Sequence, residues 1–507
     1  MAILEANRMV LASIDHEMGE IAADRTDPDA PKAISRVDDE AGTKIRRANI
    51  LNSSAPAYSI PTELLSAIFK VGHSENSDEY ETPFELIVSQ VSSRWRETSL
   101  NTPSLWTRIR RRAYQARLNA IEMYLQRSKA VHFELVIQVG VPSDEIFGNQ
   151  GWPYDKLDCD SVSECCALVV PSMDRCNRID LTFSTEPKWR GQPFEQSGNM
   201  AFGIIMQHFG SLAAPVLRSI NVDWGEEMYF RSGSFQQIFT GGAPLLTSIK
   251  MLQVGMHLCV PPLSSVQSIH LYLPVGPHGP GRTCREFCDM LSAATSLLHL
   301  MVIGEIIHSW TPVASATLPY LQTLSIGIQR KGYYGTMDEP QFSGLLNTIT
   351  APSLELLLMQ WVDRDTFSES PPPVGKFPRL QRLILERVDI TSDLVNTLST
   401  AFDSVRHLVW GACLKPCALL DADTIWPNLR TISIPLISED FKLDTIEALS
   451  RKCAASAHPL EKIFARNIPP ALVDSQSTIL VEKFDCEVAY ARLPSEFQSW
   501  SEVKKFA

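Results

Sequence analysis

The sequence predicts an α/β chain: a small N-terminal helical bundle followed by an irregular solenoid of short parallel strands and helices. Three observations carry that prediction. The phrase Pro/Ala-x-Leu-x-x-Leu-x-Leu returns six times between residues 215 and 434, with three weaker copies among them. Helix-like apolar spacing fills the gaps between copies. Ahead of the array, residues 58–112 crowd short apolar clusters and two tryptophans into a stretch too small for a large core of its own. The composition agrees. The chain has 507 residues, 44% of them hydrophobic, and a formal net charge of −12 from 46 basic and 58 acidic residues. This describes a core-forming chain and excludes a disordered one.

Residues 1–57 come first. Apolar side chains at Leu4, Leu11, Ile14, Met18 and Ile21 fall three to four residues apart on one helical face, the spacing of a short coiled-coil seam or of a helix packed on its own chain. Residues 24–57, typified by Asp24-Arg-Thr-Asp-Pro-Asp-Ala-Pro31, read as a linker.

The second segment, 58–112, opens with Ile60-Pro61 and continues Thr62-Glu63-Leu64-Leu65-Ser66-Ala67-Ile68-Phe69. Pro61 suits a first helical turn, where its missing N–H costs nothing. Leu64, Leu65, Ile68 and Phe69 then build one apolar face. After an acidic connection containing Glu75, Asp78, Glu79 and Glu81 come Val91, Arg94-Trp95-Arg96 and finally Leu105-Trp106. Read by themselves, Trp95 and Trp106 serve either as internal core or as interface anchors. The basic run Arg108-Ile-Arg110-Arg111-Arg112 reads as a solvated element end, with nuclear import or phosphate binding as the sharper alternative.

These residues, in this order, resemble the F-box, and in particular the F-box-like proteins numerous in mushroom-forming fungi. The matching pairs are Ile60-Pro61, Glu63-Leu64, Ile68-Phe69, Val91 with Arg94-Trp95-Arg96, and Leu105-Trp106. The chain departs from the pattern in the acidic stretch from Ser74 to Thr82, which lengthens the first connection. The resemblance implies docking to a Skp-type adaptor, and through it to a cullin ubiquitin ligase. It assigns adaptor binding to Ile60, Pro61, Leu64, Leu65, Ile68, Phe69, Val91, Trp95, Leu105 and Trp106.

The third segment, 131–465, carries the repeats. Its copies start at Pro215, Pro244, Pro319, Pro352, Pro378 and Pro427, with weaker ones at Val266, Leu297 and Val405. The leucines from 217 to 429 are offset by 29, 20, 31, 24, 33, 26, 25 and 24 residues. That period resembles the leucine-rich repeat, one strand and one helix per turn. The position that usually holds Asn or Cys is filled by Cys413 but not at Gly225, Val254, Gln329, Val362 or Val388, so its ladder is mostly missing. Strand alternation sends the leucines inward. It sends Asp223, Lys250, His270, Tyr272, His299, Gln360, Arg382, Glu386 and His407 to the concave face, together with the apolar Leu252, Ile303, Leu356 and Leu358, as a candidate target-binding surface of mixed chemistry. Residues 140–200 have no clear pattern, and 466–507, with Trp500, read as a cap.

Enzymatic motifs are absent from the sequence. It contains no G-x-x-x-x-G-K-[ST], G-x-S-x-G, H-E-x-x-H or G-x-G-x-x-G. The only enzymatic reading left is a dispersed catalytic set. Eleven scattered cysteines, with Cys284/Cys288 and Cys413/Cys417 one helical turn apart but no matching second cluster, predict free thiols and no metal site. No cofactor, nucleic acid or membrane is expected as a partner. The opening Met1-Ala-Ile-Leu-Glu5 lacks the pattern of a secretory signal, and the expected location is cytoplasmic or nuclear. The expected function is therefore substrate recognition within a cullin ligase, with an unknown target protein held by the repeats. The alternative is a repeat scaffold whose F-box-like helices only cap the solenoid.

Overall fold

The computed structural model describes residues 12–13, 15–16, 43–44, 46–47, 59–75, 82–112, 118–140, 154–184, 194–224, 237–273, 282–304, 306–309, 314–327, 341–362, 367, 371–386, 388, 391–411, 417–434, 443–455, 460–465 and 480–483. The heptad positions Leu4, Leu11, Ile14, Met18 and Ile21 lie outside them, as does Trp500. The chain divides into two compact units, residues 1–109 with 122–133 and residues 110–121 with 134–507.

The first unit is helical. It contains α1 (Thr62–Glu75), α2 (Phe84–Val91), α3 (Ser93–Leu100), a 3-10 turn over Pro103–Trp106 and the latter part of α4 (Asn119–Arg127). Pro61 sits ahead of α1, and its carbonyl accepts the Leu65 N–H at 2.9 Å. Ser92 caps α3 by accepting the Trp95 N–H at 3.2 Å.

The second unit is built on one sheet. Among the described residues fourteen strands follow chain order: β1 (Arg108–Arg111), β2 (Phe133–Gly140), β3 (Cys176–Ser184), β4 (Ser219–Asp223), β5 (Ser248–Leu252), β6 (Ser268–Leu273) and β7 (His299–Gly304). They continue as β8 (Thr323–Gly327), β9 (Leu356–Gln360), β10 (Arg382–Glu386), β11 (His407–Gly411), β12 (Thr431–Ile434), β13 (Lys462–Ala465) and β14 (Leu480–Lys483). Each neighbouring pair from β3 to β14 is parallel. Helices connect many of them, including α5 (Tyr154–Val169), α6 (Phe194–Phe209), α7 (Cys284–Ala293), α8 (Gln341–Thr348), α9 (Ser392–Ala401), α10 (Cys417–Asp421) and α11 (Leu443–Ala455). The fold is the expected α/β array of parallel strands and helices.

Its register explains the repeated phrase. Ile179, Ile220, Ile249, Ile269, Leu300, Leu324, Leu357, Leu383, Leu408, Ile432 and Ile463 stand side by side across the sheet. All are at most 2% exposed. Each such side chain contributes roughly 1.5–3 kcal/mol by leaving water.

The proline of the phrase sits in a turn. At all nine copies the leucine-position N–H donates to the carbonyl three residues back, as from Leu217 to Ala214, Val266 to Leu263 and Leu429 to Trp426, at 3.0–3.3 Å. Proline occupies the second position of this β-turn, where its fixed φ is already correct. The turns also replace the missing Asn/Cys ladder. Ser265 Oγ donates to Leu246 O at 3.0 Å, Ser296 Oγ to Ser264 O at 2.8 Å, Ser404 Oγ to Leu380 O at 2.9 Å, and Asn428 Nδ2 to Asp403 O at 3.0 Å. Each ties one turn to the preceding one.

Three sequence expectations change. Residues 140–200 contribute α5, β3 and the start of α6, so repeat structure precedes the first recognisable phrase. The sheet runs past residue 465, because β14 pairs with β13. Arg111 is not a solvated end. It is fully buried in β1, donating from Nη1 to Gln138 O at 2.6 Å and from Nε to Ser161 Oγ at 3.4 Å.

Candidate functional site: an apolar stripe on the helical unit

On α1 two stripes run side by side. Leu65 and Phe69 are each 1% exposed, whereas Leu64, Ile68 and Val71 are 57%, 52% and 57% exposed. On α2 Val88 is buried, and Ile87 and Val91 are 45% and 51% exposed. Five aliphatic side chains thus face water on two adjacent short helices. A water-exposed apolar patch of this kind marks an interaction surface.

The inner stripe builds the unit's core. The Phe69 ring lies 5.0 Å from Trp95 and 6.4 Å from Phe84, edge-on to the latter. Leu105 and Trp106 are fully buried. Trp106 donates from Nε1 to Ser99 O at 2.9 Å, meets Tyr124 edge-on at 5.1 Å, and has the Arg127 guanidinium 4.3 Å over its ring. Ser66 Oγ and Thr102 Oγ1 are 3.0 Å apart.

Of the ten expected adaptor contacts, Leu65, Phe69, Leu105 and Trp106 are therefore corrected to internal core. A unit this small needs its aromatic and inner aliphatic side chains to hold its helices together. Trp95 and Ile60 are half-buried, Pro61 is exposed, and Arg94 Nη2 donates to the Ile60 carbonyl. Val71 and Ile87 went unread in the sequence. The signal was present: Val71 lies three residues beyond Ile68, and Ile87 four before Val91.

The outward sheet face is more buried than the mixed recognition surface expected from the sequence. Asp223, Lys250, Tyr272, His299, Arg382 and His407 are half-buried, but His270, Gln360 and Glu386 are only 3%, 4% and 6% exposed. His270 Nε2 lies 3.1 Å from Ser268 Oγ, Gln360 Nε2 donates to Glu386 Oε2 at 2.6 Å, and His407 Nδ1 is 2.8 Å from Thr431 Oγ1. Burial, with Lys250 and His299 nearby, pushes the His270 imidazole down to about 3.

Between β7 and β11 the outward positions Met301, Ile303, Leu356, Leu358, Ile384 and Val409 form a buried cluster, with Tyr272, Trp361 and Phe464 packed against it. His270 and Glu386 are thus corrected from candidate target contacts to interior residues. Alternation identifies the face of a strand, but these strands carry Met, Ile, Leu and Val on both faces.

Cys284 and Cys288 are buried in α7, and burial pushes the Cys288 thiol up to about 12. Cys284 Sγ lies 3.9 Å from Thr348 Oγ1. Among the described residues, no group of three or more His, Cys, Asp or Glu side chains is placed to hold a metal ion.

No family model and no curated protein matches the chain. Among solved structures, a chain in the crystal structure of the Rad7 and Elc1 complex in yeast matches at 11% identity and a TM-score of 0.28, covering 89% of this chain and 98% of that one. At that score the match adds nothing to the fold read directly from the strands.

Proposed function

We propose that the chain is a substrate-recognition subunit of a cullin-type ubiquitin ligase. Its helical unit docks on a Skp-type adaptor, and its repeat unit holds a target protein. The observation that carries this reading is the exposed stripe of Leu64, Ile68 and Val71 on α1 with Ile87 and Val91 on α2, within the segment whose motifs resemble the F-box. Burying half-exposed aliphatic side chains against a partner supplies the driving force for such an interface. The chain would perform no bond chemistry. It would raise the local concentration of target lysines beside the catalytic partner.

For target contact the reading uses the half-buried polar positions Asp223, Lys250 and Tyr272 on β4–β6 rather than the apolar centre of the same face.

Co-expression with a Skp-type adaptor tests the proposal. The wild-type chain is expected to co-purify with it. Leu64→Asp with Ile68→Asp is expected to weaken binding at least a hundredfold, from roughly 3 kcal/mol of lost burial and added charge desolvation, while leaving the melting temperature of the free chain unchanged. Full binding by the double variant would refute the assignment.

A further inference from the structure

The α1–α2 junction interlocks at two consecutive positions on each helix. Gly72 leaves room for the Phe84 ring: a Cβ at residue 72 would lie 2.5 Å from Phe84 Cζ. One residue on, His73 Nδ1 lies 3.4 Å from Glu85 Oε2, and Glu85 Oε1 accepts the Tyr124 hydroxyl hydrogen at 2.5 Å. Glu85 is 4% exposed although it occupies the first turn of α2, a place normally open to water. A buried carboxylate persists only when paired and hydrogen-bonded. Burial pushes Glu85 up, but His73, Tyr124 and its own backbone N–H outweigh that and hold it below the ordinary carboxylate range.

Among the described residues, the groups facing the carboxylate are the His73 imidazole from α1 and the Tyr124 hydroxyl from α4. Arg127, also on α4, lies over Trp106 instead. The stretch between the interlocked helices is the acidic connection that departs from the F-box pattern. Those same two helices carry the five exposed aliphatic side chains. Their stagger decides whether Leu64, Ile68, Val71, Ile87 and Val91 form one surface or two.

We propose that Glu85 is a positioning residue for the docking stripe: clasped between His73 of α1 and Tyr124 of α4, it fixes α1 against α2 so that the five side chains present a single face. This rests on the adaptor-docking reading above.

The test uses the full chain with three substitutions. Glu85→Gln keeps an acceptor for Tyr124 but removes the charge. His73→Gln, a milder change at a partly exposed position, removes the imidazole that faces Glu85, and His73→Arg supplies another donor. Hydrogen–deuterium exchange over residues 62–75 and 84–91, and titration with a recombinant Skp-type adaptor, give two independent readouts.

Both Gln variants are expected to speed exchange in both helices and to weaken adaptor binding about tenfold, the size of one lost charge-assisted hydrogen bond. His73→Arg, which keeps a donor to Glu85, should restore wild-type exchange and affinity. Unchanged exchange in both Gln variants overturns the clasp, whatever the adaptor does. Failure of His73→Arg to restore wild-type exchange overturns it as well. Faster exchange in a chain whose wild type binds no adaptor defeats the docking reading, and the docking role of Glu85 falls with it.

Discussion

His270 and Leu64 show how much turns on single side chains. His270 is 3% exposed on β6, and burial first, then Lys250 and His299, lower its imidazole from an ordinary 6.5 to about 3. The folded state therefore holds this residue neutral, while the unfolded chain takes up a proton as pH falls through 6.5. The stabilisation is present above pH 6.5 and is lost between pH 6.5 and about 3, at up to about 1.4 kcal/mol per pH unit. Chemical denaturation at pH 7.5, 6 and 5 should show stability falling with acidity in the wild type. His270→Gln, which cannot titrate, should flatten that slope; an identical slope in both would show that His270 is not held neutral. The sequence placed His270 correctly on the outward side of its strand but not inside the protein, because alternation distinguishes two faces without saying which one is wet. Leu64 and Leu65 make the same point. Both match the helical pattern and both were assigned to the partner, yet the aromatic side chains Phe69 and Trp95 define an interior that takes Leu65 and leaves Leu64 in water.

The turn phrase was the element most legible in the sequence. All nine copies form the same hydrogen-bonded turn, and the three that lack proline carry Ser264, Thr295 or Asp403 at its position. Those polar residues suit a turn for a reason of their own, through side-chain hydrogen bonds to nearby backbone. The strand before the array was illegible because its spacing differs. Buried Met173 precedes the inward Ile179 by six residues, where Leu217 precedes Ile220 by three. A fixed-spacing phrase cannot find it. Some bonds joining repeats were also invisible, since they pair residues with no shared motif. Lys376 donates from Nζ to Leu346 O at 3.0 Å and also to Asn347 O, satisfying carbonyls in the last turn of α8. Lys452, on α11, likewise donates to Leu420 O at 2.7 Å and to Ala422 O, at the end of α10. A cation at a helix C-terminus is favoured by the unpaired carbonyls and the macrodipole. Lys376→Met keeps the aliphatic stem and removes the donor. It is expected to cost about 1–2 kcal/mol, read as a lower denaturation midpoint. No change in midpoint would mean that water replaces the ammonium without loss.

From β6 to β11 the parallel strands have buried side chains on both faces. The inward rows of Ile and Leu were expected from the leucine phrase. On the outward face Ile303, Leu356 and Leu358 were expected as apolar members of an open surface, but not their burial in one cluster with Met301, Ile384 and Val409. Parallel sheets are characteristically covered on both sides, and their strands read as continuous apolar runs rather than alternating ones. Leu356-Leu-Leu-Met359 in β9 and Leu383-Ile-Leu385 in β10 are such runs. The distinction matters because an open recognition face and a second core respond oppositely to charge. Ile384 is fully buried on the outward side, and Leu383 is fully buried on the inward side of the same strand. An aspartate at a solvated position would be hydrated and would change stability by a few tenths of a kcal/mol, whereas in a second core it must be desolvated without a partner, at a cost of roughly 3 kcal/mol or more. Ile384→Asp should therefore lower the thermal midpoint as severely as Leu383→Asp. Lys250→Asp, at a half-buried outward position on β5, should leave it within a few degrees of wild type. An Ile384→Asp chain that melts with the wild type would return the centre of the face to the role of a binding surface; a collapse matching Leu383→Asp would confine recognition to the polar end of the sheet around Asp223, Lys250 and Tyr272.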